Sequence, residues 1–373
     1  MQLVKFSIPA SITFARSTSE RVIRFDTQDT WVLTNHQRDT LAATEFGKSM
    51  RAALLESRIQ PFLVDRAGGC GRKLLFYACA GGYGDQLMAV PVAKILHDSG
   101  YKVSIAVETG ADQLWWHQPF IQSIVIVPFK SSVLDEFDAV AAYESVTNHD
   151  CLPGQRHPTD NLLWRMGIPP EHVGVKTIKP VITVNERLAA KRIVQARNGR
   201  TAIYQVAASS KLRSLTPAMS REVLLRLATQ HPDVQWIATV DKFLDPEYKT
   251  QLAGLPANVV PTNFASLRHL MAVAEQSEFG IGPDSFNSHL FGQLGLPFIG
   301  YHGAFDPALR ARYYPQHQVW YYPAACTLAP CMHCYTGMPA GCPSKSAYCK
   351  LTEGDQALIE WICSKAKNLL EKP

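Results

Sequence analysis

The fold is decided by residues 280–300, which read GIGPDSFNSHLFGQLGLPFIG. A short apolar run stops at a Gly-Pro pair, and helix-capping residue types then precede an apolar segment that ends at Gly295 and Pro297. This order predicts a strand, a loop, a short helix and a second strand. The N-terminus of such a helix presents backbone N–H groups and a partial positive charge, which suit an anion such as a diphosphate.

Asp284 and His289 are expected beside that helix N-terminus, at the mouth of a site on the edge of the sheet. Two interpretations stay open for them. In the first, both side chains contact a ligand. In the second, Asp284 and Ser285 cap the helix and His289 packs against the sheet, since capping is a common role for these residue types.

Composition describes a globular chain that can form more than one core. The chain has 373 residues, of which 46% are hydrophobic, so two domains with an appendage are expected. The net charge of +5 comes from interspersed basic and acidic residues and supports an anionic substrate only weakly. No apolar run reaches the ~20 residues of a membrane span, and residues 1–14 lack the order of a signal peptide. We therefore expect a cytoplasmic protein without a membrane span.

Residues 1–70 are interpreted as an N-terminal α+β appendage. Alternating polar and apolar residues at 21–26 and an apolar run at 31–33 predict a hairpin. The spacing of apolar residues between 39 and 59 predicts a helix. The glycine-rich stretch 66–71 is typical of a connector, so we place a boundary there.

Two α/β units are predicted after this boundary, at residues 71–185 and 186–373. The second contains a cysteine-rich loop at 326–349 and ends in a helix. The strands of the first unit are predicted at 73–79, 103–107, 124–127 and 139–143. The strands and helices of the second are predicted at 186–197, 201–206, 220–230, 234–240 and 267–274. The fold class is therefore α/β, with two Rossmann-like domains that face a cleft and bind ligands at the carboxyl ends of strands.

Asp85 follows the glycine-rich turn at 80–84, directly after the first strand of the first unit. The turn lacks the G-x-G-x-x-G spacing, so it does not indicate NAD. Asp85 is either a reactive carboxylate at the sheet edge or an ordinary helix cap. A helix that begins near Asp85 would place Pro91 early in the helix, where a missing N–H is tolerated.

The loop after residue 206 carries Ser209, Ser210, Lys211 and Arg213. Such side chains neutralise and hydrogen-bond phosphate oxygens, although a solvated loop has a similar composition. No D-x-D triplet occurs in the chain, so nothing in the sequence indicates a catalytic divalent metal on a nucleotide-sugar.

Three blocks together resemble the heptosyltransferase family of inverting GT-B glycosyltransferases, glycosyltransferase family 9. They are residues 84–91, which resemble its Gly-Asp-apolar-Pro block, residues 208–211, which resemble its phosphate loop, and residues 282–307, which are similar to its donor-site signature. The resemblance spans about residues 72–370 and is most specific in the third block. This chain has Phe286-Asn287-Ser288 where the family usually has Gly-Pro-Met, and residues 1–70 have no counterpart.

The resemblance implies a transferase that moves a sugar from a nucleotide diphosphate-sugar, of the ADP-heptose kind, to a hydroxyl acceptor on a glycan, a lipid-linked glycan or another molecule. It implies Asp85 as the catalytic base, Lys211 on the diphosphate, and Asp284 and His289 near the donor sugar. We expect donor binding by Ser209, Ser210, Lys211, Arg213, Asp284, Ser285, Asn287 and His289, and acceptor binding by Gly84 and Gln86. Catalysis is expected to require no cofactor.

The late cysteines form C-x₂-C-x₇-C-x₆-C, at Cys331, Cys334, Cys342 and Cys349, with Cys326 and His333 as substitutes. Four thiolates at these spacings suit a structural zinc ion. Free packed thiols are nearly as consistent with the pattern, and disulfides are less so in a cytoplasmic protein.

The sequence is also consistent with other functions. The same two-sheet architecture serves nucleotide-sugar epimerases and hydrolases, since fold alone does not fix function. A nucleic-acid partner also stays open, either for a non-catalytic assembly factor or for a transferase that acts on a modified base.

Overall fold

The computed structural model of the chain describes most of the two α/β units and parts of the N-terminal segment. The described residues are 2–5, 10–16, 19–25, 29–34, 37, 41, 64–65, 68–77, 82–142, 156–194, 200–240, 244–303, 305–329, 331, 342, 345–350, 352 and 356–371. The chain forms two compact units, Met1–Val181 and Ile182–Pro373. The boundaries after residues 70 and 185 stay predictions.

Four strands are described in the N-terminal segment: β1 (Gln2–Lys5), β2 (Ala10–Arg16), β3 (Ser19–Phe25) and β4 (Thr30–Leu33). β2 and β3 form an antiparallel hairpin, and β1 pairs antiparallel with β4. The predicted strands near residues 21–26 and 31–33 both exist, as β3 and β4. The predicted hairpin between them is wrong, because β3 pairs with β2 and β4 pairs with β1. The helix predicted at 39–59 lies almost entirely outside the described residues.

The first parallel sheet has the order β7-β6-β5-β9. The elements of this part are β5 (Lys73–Tyr77), α1 (Tyr83–Asp98), β6 (Lys102–Glu108), β7 (Ile121–Val127), β8 (Phe129–Lys130), β9 (Ala139–Ala142) and α2 (Pro158–Arg165). Strands β5 and β6 are buried over nearly their whole length, as expected for central strands covered on both faces.

β8 continues the chain just after β7 and pairs with β4, so the N-terminal segment is hydrogen-bonded to the part of the first unit that carries the parallel sheet. Lys130 on β8 forms an ion pair with Asp29 and lies over the ring of Trp31 at 5.9 Å. The sequence pattern predicted the strand at 31–33 but not this partner, because the two strands lie far apart in the sequence.

Helix α1 begins at Tyr83, earlier than expected, so Pro91 lies in its interior. The expectation of a tolerated early proline is therefore wrong, since an interior proline cannot donate the backbone hydrogen bond to the preceding turn. One turn before Pro91, the hydroxyl of Thr159 at the start of α2 donates a 2.8 Å hydrogen bond to the carbonyl of Met88. This contact fixes α2 on the part of α1 that follows Asp85.

The second unit is built on a six-stranded sheet in which every neighbouring pair is parallel, in the order β12-β11-β10-β13-β14-β15. Its helices and strands are α3 (Val184–Val194), β10 (Thr201–Gln205), α4 (Pro217–Gln230), β11 (Gln235–Thr239), α5 (Pro246–Gln251), β12 (Val259–Thr262), α6 (Leu267–Glu275), β13 (Phe279–Pro283), α7 (Phe286–Leu294), β14 (Phe298–Tyr301), α8 (Pro307–Arg310), β15 (His317–Trp320) and α9 (Gln356–Leu370). The apolar face of α9 joins the core formed by α4 and the sheet.

The strand-loop-helix-strand order predicted for residues 280–300 is confirmed as β13, α7 and β14. Gly295 ends α7 in the left-handed conformation, with φ at 73°. Gly280 lies so close to Phe291 and Phe298 that a Cβ there would be 2.7 Å from the nearest ring atom. The two glycines therefore let the helix end sharply and pack closely on the sheet.

The structure also bears on membrane insertion. Within the part of the chain that it describes, none of the helices is both long and apolar enough to cross a bilayer.

The packing of α7 predicts the effect of one substitution. A Cβ at Gly292 would lie 2.4 Å from the buried ring of Tyr314. We therefore expect Gly292→Ala to lower the free energy of unfolding by about 1–3 kcal/mol, because overpacking a filled core outweighs the gain in helix propensity. Urea unfolding measures the change.

The matched control is Gly174→Ala, where no atom lies within 4 Å of the added Cβ. A Gly292→Ala protein as stable as the Gly174→Ala protein would contradict the packing described.

Candidate functional site

The predicted donor residues meet at the carboxyl ends of two neighbouring parallel strands. β10 pairs with β13, so that Tyr204 lies opposite Ile281. The loop that follows β10, residues 206–216, and the turn between β13 and α7 therefore leave the sheet at the same edge. This is the edge at which open α/β sheets bind ligands.

The loop at 206–216, called the donor loop below, is shaped by its own hydrogen bonds. The hydroxyl of Ser214 accepts from the amide of Ala208 at 2.9 Å and donates to the carbonyl of Ser210 at 3.0 Å. The hydroxyl of Ser210 accepts from the amide of Leu212 and starts a short 3₁₀ turn. These hydrogen bonds within the loop define its conformation.

Two side chains tie the donor loop to the turn between β13 and α7. The guanidinium of Arg213 donates to the backbone carbonyl of Asp284 at 2.9 Å and to the hydroxyl of Ser209 at 2.6 Å. The side-chain amide of Gln205, the last residue of β10, donates to the hydroxyl of Ser285 at 2.9 Å and to the carbonyl of Ala207 in the donor loop at 3.1 Å. Ser285 is the N-cap residue of α7, but its side chain makes no capping hydrogen bond. The capping interpretation of Ser285 is therefore wrong, and its hydroxyl instead joins the two loops.

Lys211 extends from the donor loop and is half-exposed. Its ammonium lies 2.8 Å from the carboxylate of Asp245, the N-cap residue of α5. The hydrogen bond with Asp245, together with the nearby Tyr348, raises the pKa of Lys211 above its usual value. Asp245 was not predicted from the sequence, because a carboxylate before a Pro-Glu pair has the signature of a plain helix cap.

Asp284 and His289 are close together, as expected, but they lie beneath the surface. Asp284 is 2% exposed and His289 is 3% exposed. One carboxylate oxygen of Asp284 is 3.3 Å from Nε of Arg310, and the other is 3.5 Å from Nε2 of His289. His289 also contacts the Tyr314 hydroxyl through Nδ1, at 3.3 Å. In this structure both side chains therefore take part in a buried ion-pair cluster, instead of facing the mouth of the site.

Electrostatics around Asp284 favour its charged form. Burial alone would raise its pKa, but the positive charge of Arg310, with contributions from His302 and His289, outweighs burial and holds the pKa well below its usual value. Arg310 also packs over the ring of Phe305, at 4.6 Å. Sequence reasoning missed Arg310, although the Asp-Pro start of α8 shortly before it was a usable signal.

His302 is the second residue of this cluster that the sequence analysis missed. It directly follows β14 and is 1% exposed, and neither ring nitrogen has a hydrogen-bond partner among the described residues. Its pKa is lowered to about 4, chiefly by burial and also by the charges of Arg310 and His289, and the nearby Asp284 offsets this only in part. The imidazole is therefore neutral at physiological pH.

Asn287 lies in the first turn of α7 and is 2% exposed. Its side-chain oxygen has no hydrogen-bond partner in the described part of the chain. Of the two predicted donor residues within α7, Asn287 and His289, Asn287 lies nearer to the N-terminus of the helix.

In the first unit, Asp85 lies in the first turn of α1 and is partly exposed. Its Oδ2 accepts a 3.0 Å hydrogen bond from the amide of Gly82, so the carboxylate does cap the helix. Gly84, beside it, is also partly exposed. Gln86 is buried, and its side-chain oxygen accepts from the indole of Trp115 at 3.0 Å. The Gln86 side chain thus faces the interior, whereas Asp85 keeps its Oδ1 for other contacts.

The predicted zinc ligands are only partly described. Cys326, Cys331, Cys342 and Cys349 lie within the described residues, and all four are partly exposed. Cys334 and His333 lie outside the described residues. Among the residues that are described, no three Cys, His, Asp or Glu side chains are grouped so as to hold a metal. The zinc site stays a prediction.

The buried histidine predicts a pH dependence of stability. The folded-state pKa of His302 is about 4, below the ordinary value of 6.5, so protonation favours the unfolded chain. Above pH 6.5 the neutral side chain makes its full contribution to the free energy of unfolding. This contribution, on the order of 3 kcal/mol, is lost as the pH falls toward 4. We expect His302→Leu to flatten this loss, measured as urea unfolding at pH 7 and pH 4.5.

His172→Gln, at an exposed histidine, serves as the control and should follow the wild-type pH dependence. If His302→Leu lost as much stability as the wild-type protein between the two pH values, His302 would not be the titrating group.

Comparison with known proteins identifies the fold. No protein-family model matches the chain, and no curated protein matches its sequence significantly. Solved structures do match. A glycosyl transferase of family 9 from Veillonella parvula is 11% identical, with a TM-score of 0.60, over 82% of this chain and 99% of that one.

Two Escherichia coli enzymes are similar in the same way. The ADP-heptose lipopolysaccharide heptosyltransferase II is 10% identical, with a TM-score of 0.56, over 80% of this chain and 98% of that one. TibC, described as an iron-containing dodecameric glycosyltransferase, is 14% identical, with a TM-score of 0.55, over 83% of this chain and 78% of that one. The predicted fold class and the resemblance are therefore confirmed at the level of structure: this chain has the α/β fold of the family 9 glycosyltransferases and heptosyltransferases.

Proposed function

We propose that the protein is an inverting, metal-independent glycosyltransferase that moves a sugar from a nucleotide diphosphate-sugar to a hydroxyl acceptor. The observation that carries this proposal is the joining of the donor loop to the turn between β13 and α7, through Arg213 and Gln205. Because the two loops are joined, Lys211 and the N-terminus of α7 lie at the same edge of the sheet. This supports the proposal in a chain with the fold of heptosyltransferases.

The donor side of the proposal rests on anion chemistry. Lys211 supplies the positive charge, the hydroxyls of Ser209 and Ser210 supply hydrogen-bonding groups, and α7 supplies the partial positive charge of its N-terminus. Arg213 and Ser285 act by holding the two loops together. These groups stabilise the negative charge that develops on a departing diphosphate, a role that a divalent metal otherwise performs.

Asp85 is the proposed general base. Its Oδ2 is oriented by the Gly82 amide, and Oδ1 takes the proton of the acceptor hydroxyl. The acceptor oxygen forms a bond with the anomeric carbon as the bond from that carbon to the diphosphate breaks. The nucleoside diphosphate leaves with the electron pair. A single in-line displacement of this kind inverts the configuration at the anomeric carbon.

The class of donor and acceptor is proposed by likeness to the structural neighbours. One of them is named for ADP-heptose and for lipopolysaccharide, which makes an ADP-heptose-like donor and a glycan or lipid-linked glycan acceptor the first substrates to test. All three named neighbours are glycosyl- or heptosyltransferases, so the nucleic-acid alternatives gain no support.

Asp85→Asn tests the base. The amide oxygen of Asn can still accept from Gly82, so the start of α1 is preserved, but the side chain no longer takes up a proton. We expect transfer to fall about 10²–10⁴-fold with donor binding unchanged. Product formation is measured by chromatography and donor affinity by calorimetry.

Asp98→Asn, at the exposed far end of α1, is the control and should leave transfer intact. Wild-type turnover in the Asp85→Asn protein would remove Asp85 from the mechanism.

Lys211→Ala tests the phosphate contact. Loss of a hydrogen bond to a charged group costs about 1.5–3 kcal/mol, so the dissociation constant of a nucleoside diphosphate should rise roughly 10–100-fold. Calorimetry with ADP, UDP and GDP measures this change. Lys249→Ala, at an exposed lysine on α5, is the matched control. Equal affinities in the two variants would count against Lys211 as a phosphate ligand.

A further inference from the structure

The segment that follows β11 reaches the same edge of the sheet as the donor loop. β10 and β11 are parallel neighbours, with Gln205 opposite Thr239, so the segments after both strands leave the sheet at its carboxyl edge. The segment after β11 leads to Asp245, the N-cap residue of α5. Oδ2 of Asp245 lies 2.8 Å from the ammonium of Lys211 in the donor loop. A negative charge is therefore in direct contact with the proposed phosphate ligand.

The carboxylate of Asp245 is held in place from its other side. Its Oδ1 accepts a 2.9 Å hydrogen bond from the amide of Glu247, which caps α5. The amide of Tyr248 donates to the backbone carbonyl of Asp245 at 3.0 Å. The hydroxyl of the same tyrosine, which is buried, donates to the carbonyl of Leu215 in the donor loop. These contacts fix Asp245 relative to the donor loop.

The ammonium of Lys211 is less constrained, because it is half-exposed at the end of a flexible stem. An ammonium has three N–H donors, so Lys211 can contact a phosphate while it keeps Asp245. Since the ion pair is 2.8 Å long and a charged N–H···O contact to phosphate is about 2.8 Å long, the phosphate oxygen then lies no more than about 6 Å from Oδ2 of Asp245. Like charges at this distance repel, and at the protein surface the repulsion weakens with salt.

The repulsion from Asp245 depends on the charge of the ligand. A nucleotide diphosphate-sugar carries about two negative charges, because both of its phosphates are esterified. A free nucleoside diphosphate carries about three at neutral pH, and a triphosphate about four, since the terminal phosphate has a second acidic group with a pKa near 6. The same fixed carboxylate therefore opposes the free nucleotides more strongly than the sugar donor.

We propose that Asp245 is a specificity-determining residue that discriminates among ligands of the donor site by their charge, and lowers the affinity of free nucleoside diphosphates and triphosphates relative to the diphosphate-sugar. This proposal rests on the proposed function, since it takes Lys211 as the phosphate ligand. Transfer of the sugar turns the bound donor into a more highly charged nucleoside diphosphate beside Asp245. The carboxylate therefore promotes release of this product and reduces competition by free nucleotides.

The experiment compares Asp245→Asn and Lys211→Ala with the wild-type protein by calorimetry in metal-free buffer. The ligands are the diphosphate-glucose, the diphosphate and the triphosphate of whichever nucleoside, adenosine, uridine or guanosine, the wild-type protein binds most tightly. Asn keeps the oxygen that accepts from Glu247, so the cap of α5 is preserved.

We expect Asp245→Asn to bind the nucleoside diphosphate on the order of 3–10-fold more tightly than the wild type, as removal of a unit charge about 6 Å away predicts at the surface. The gain should be larger for the triphosphate and smaller for the diphosphate-glucose. All three gains should shrink in about 0.5 M NaCl, because salt screens exposed charges, whereas a purely structural effect would persist. Lys211→Ala should weaken all three ligands.

Asp233→Asn is the matched control. Asp233 precedes β11, at the opposite edge of the sheet from the donor loop, and its exposed carboxylate lies 3.3 Å from Arg200. This substitution removes the same charge from the chain but not from the donor site, so the affinities of all three ligands should stay at the wild-type values.

Three results would overturn the proposal: unchanged affinities in Asp245→Asn, the same gain for all three ligands, or weaker binding of all three, which would mean that Asp245 only orients Lys211. If Lys211→Ala still weakened the ligands in such a case, the proposed function would stand without charge discrimination by Asp245. If Lys211→Ala bound the ligands as the wild type does, or if the wild-type protein bound none of them, both proposals would fall. Thermal unfolding of each variant separates a lost contact from a lost fold.

Discussion

The charge of Asp284, buried at the end of β13, sets the arrangement of the second unit around the donor loop. A carboxylate removed from water must be paired, because the cost of burying an unpaired charge is several kcal/mol. Arg310 of α8, His289 of α7 and His302 after β14 surround it. The backbone carbonyl of the same residue accepts from Arg213, so one position connects the buried cluster to the donor loop.

The basic side chains around the donor loop are of two kinds: those paired within the protein and one that is half-exposed. Arg310 compensates a permanent internal carboxylate, and Arg213 is occupied by a carbonyl and a hydroxyl of the protein. Lys211 is different, because it is half-exposed and its partner Asp245 is itself partly exposed. Under the proposed function, an incoming phosphate competes for Lys211 at the surface, where an ion pair is worth little, without disturbing the buried cluster.

Much of the fold could be predicted from the sequence. Parallel strands buried on both faces form continuous apolar runs, and in helices apolar residues recur every three or four positions. The residues proposed to bind the donor lie near one another because loops after neighbouring parallel strands share one edge. What the sequence left undetermined is non-local. The pairing of β4 with β8, the approach of Arg310 to Asp284 and the burial of Gln86 against Trp115 all join residues far apart in the chain. Periodicity carries no information about such partners.

The pairing of β4 with β8 has a consequence for the protein while it is being made. β4 leaves the ribosome about a hundred residues before β8, and at roughly 5–20 residues per second its second partner is missing for many seconds. During that interval β1 is the partner of β4 that has already been made, among the described strands, and the backbone groups that β8 later pairs are open to any neighbouring chain. Slow translation or crowded polysomes would therefore favour aggregation through this edge, and a chaperone that shields the nascent N-terminal segment would raise the yield of folded protein.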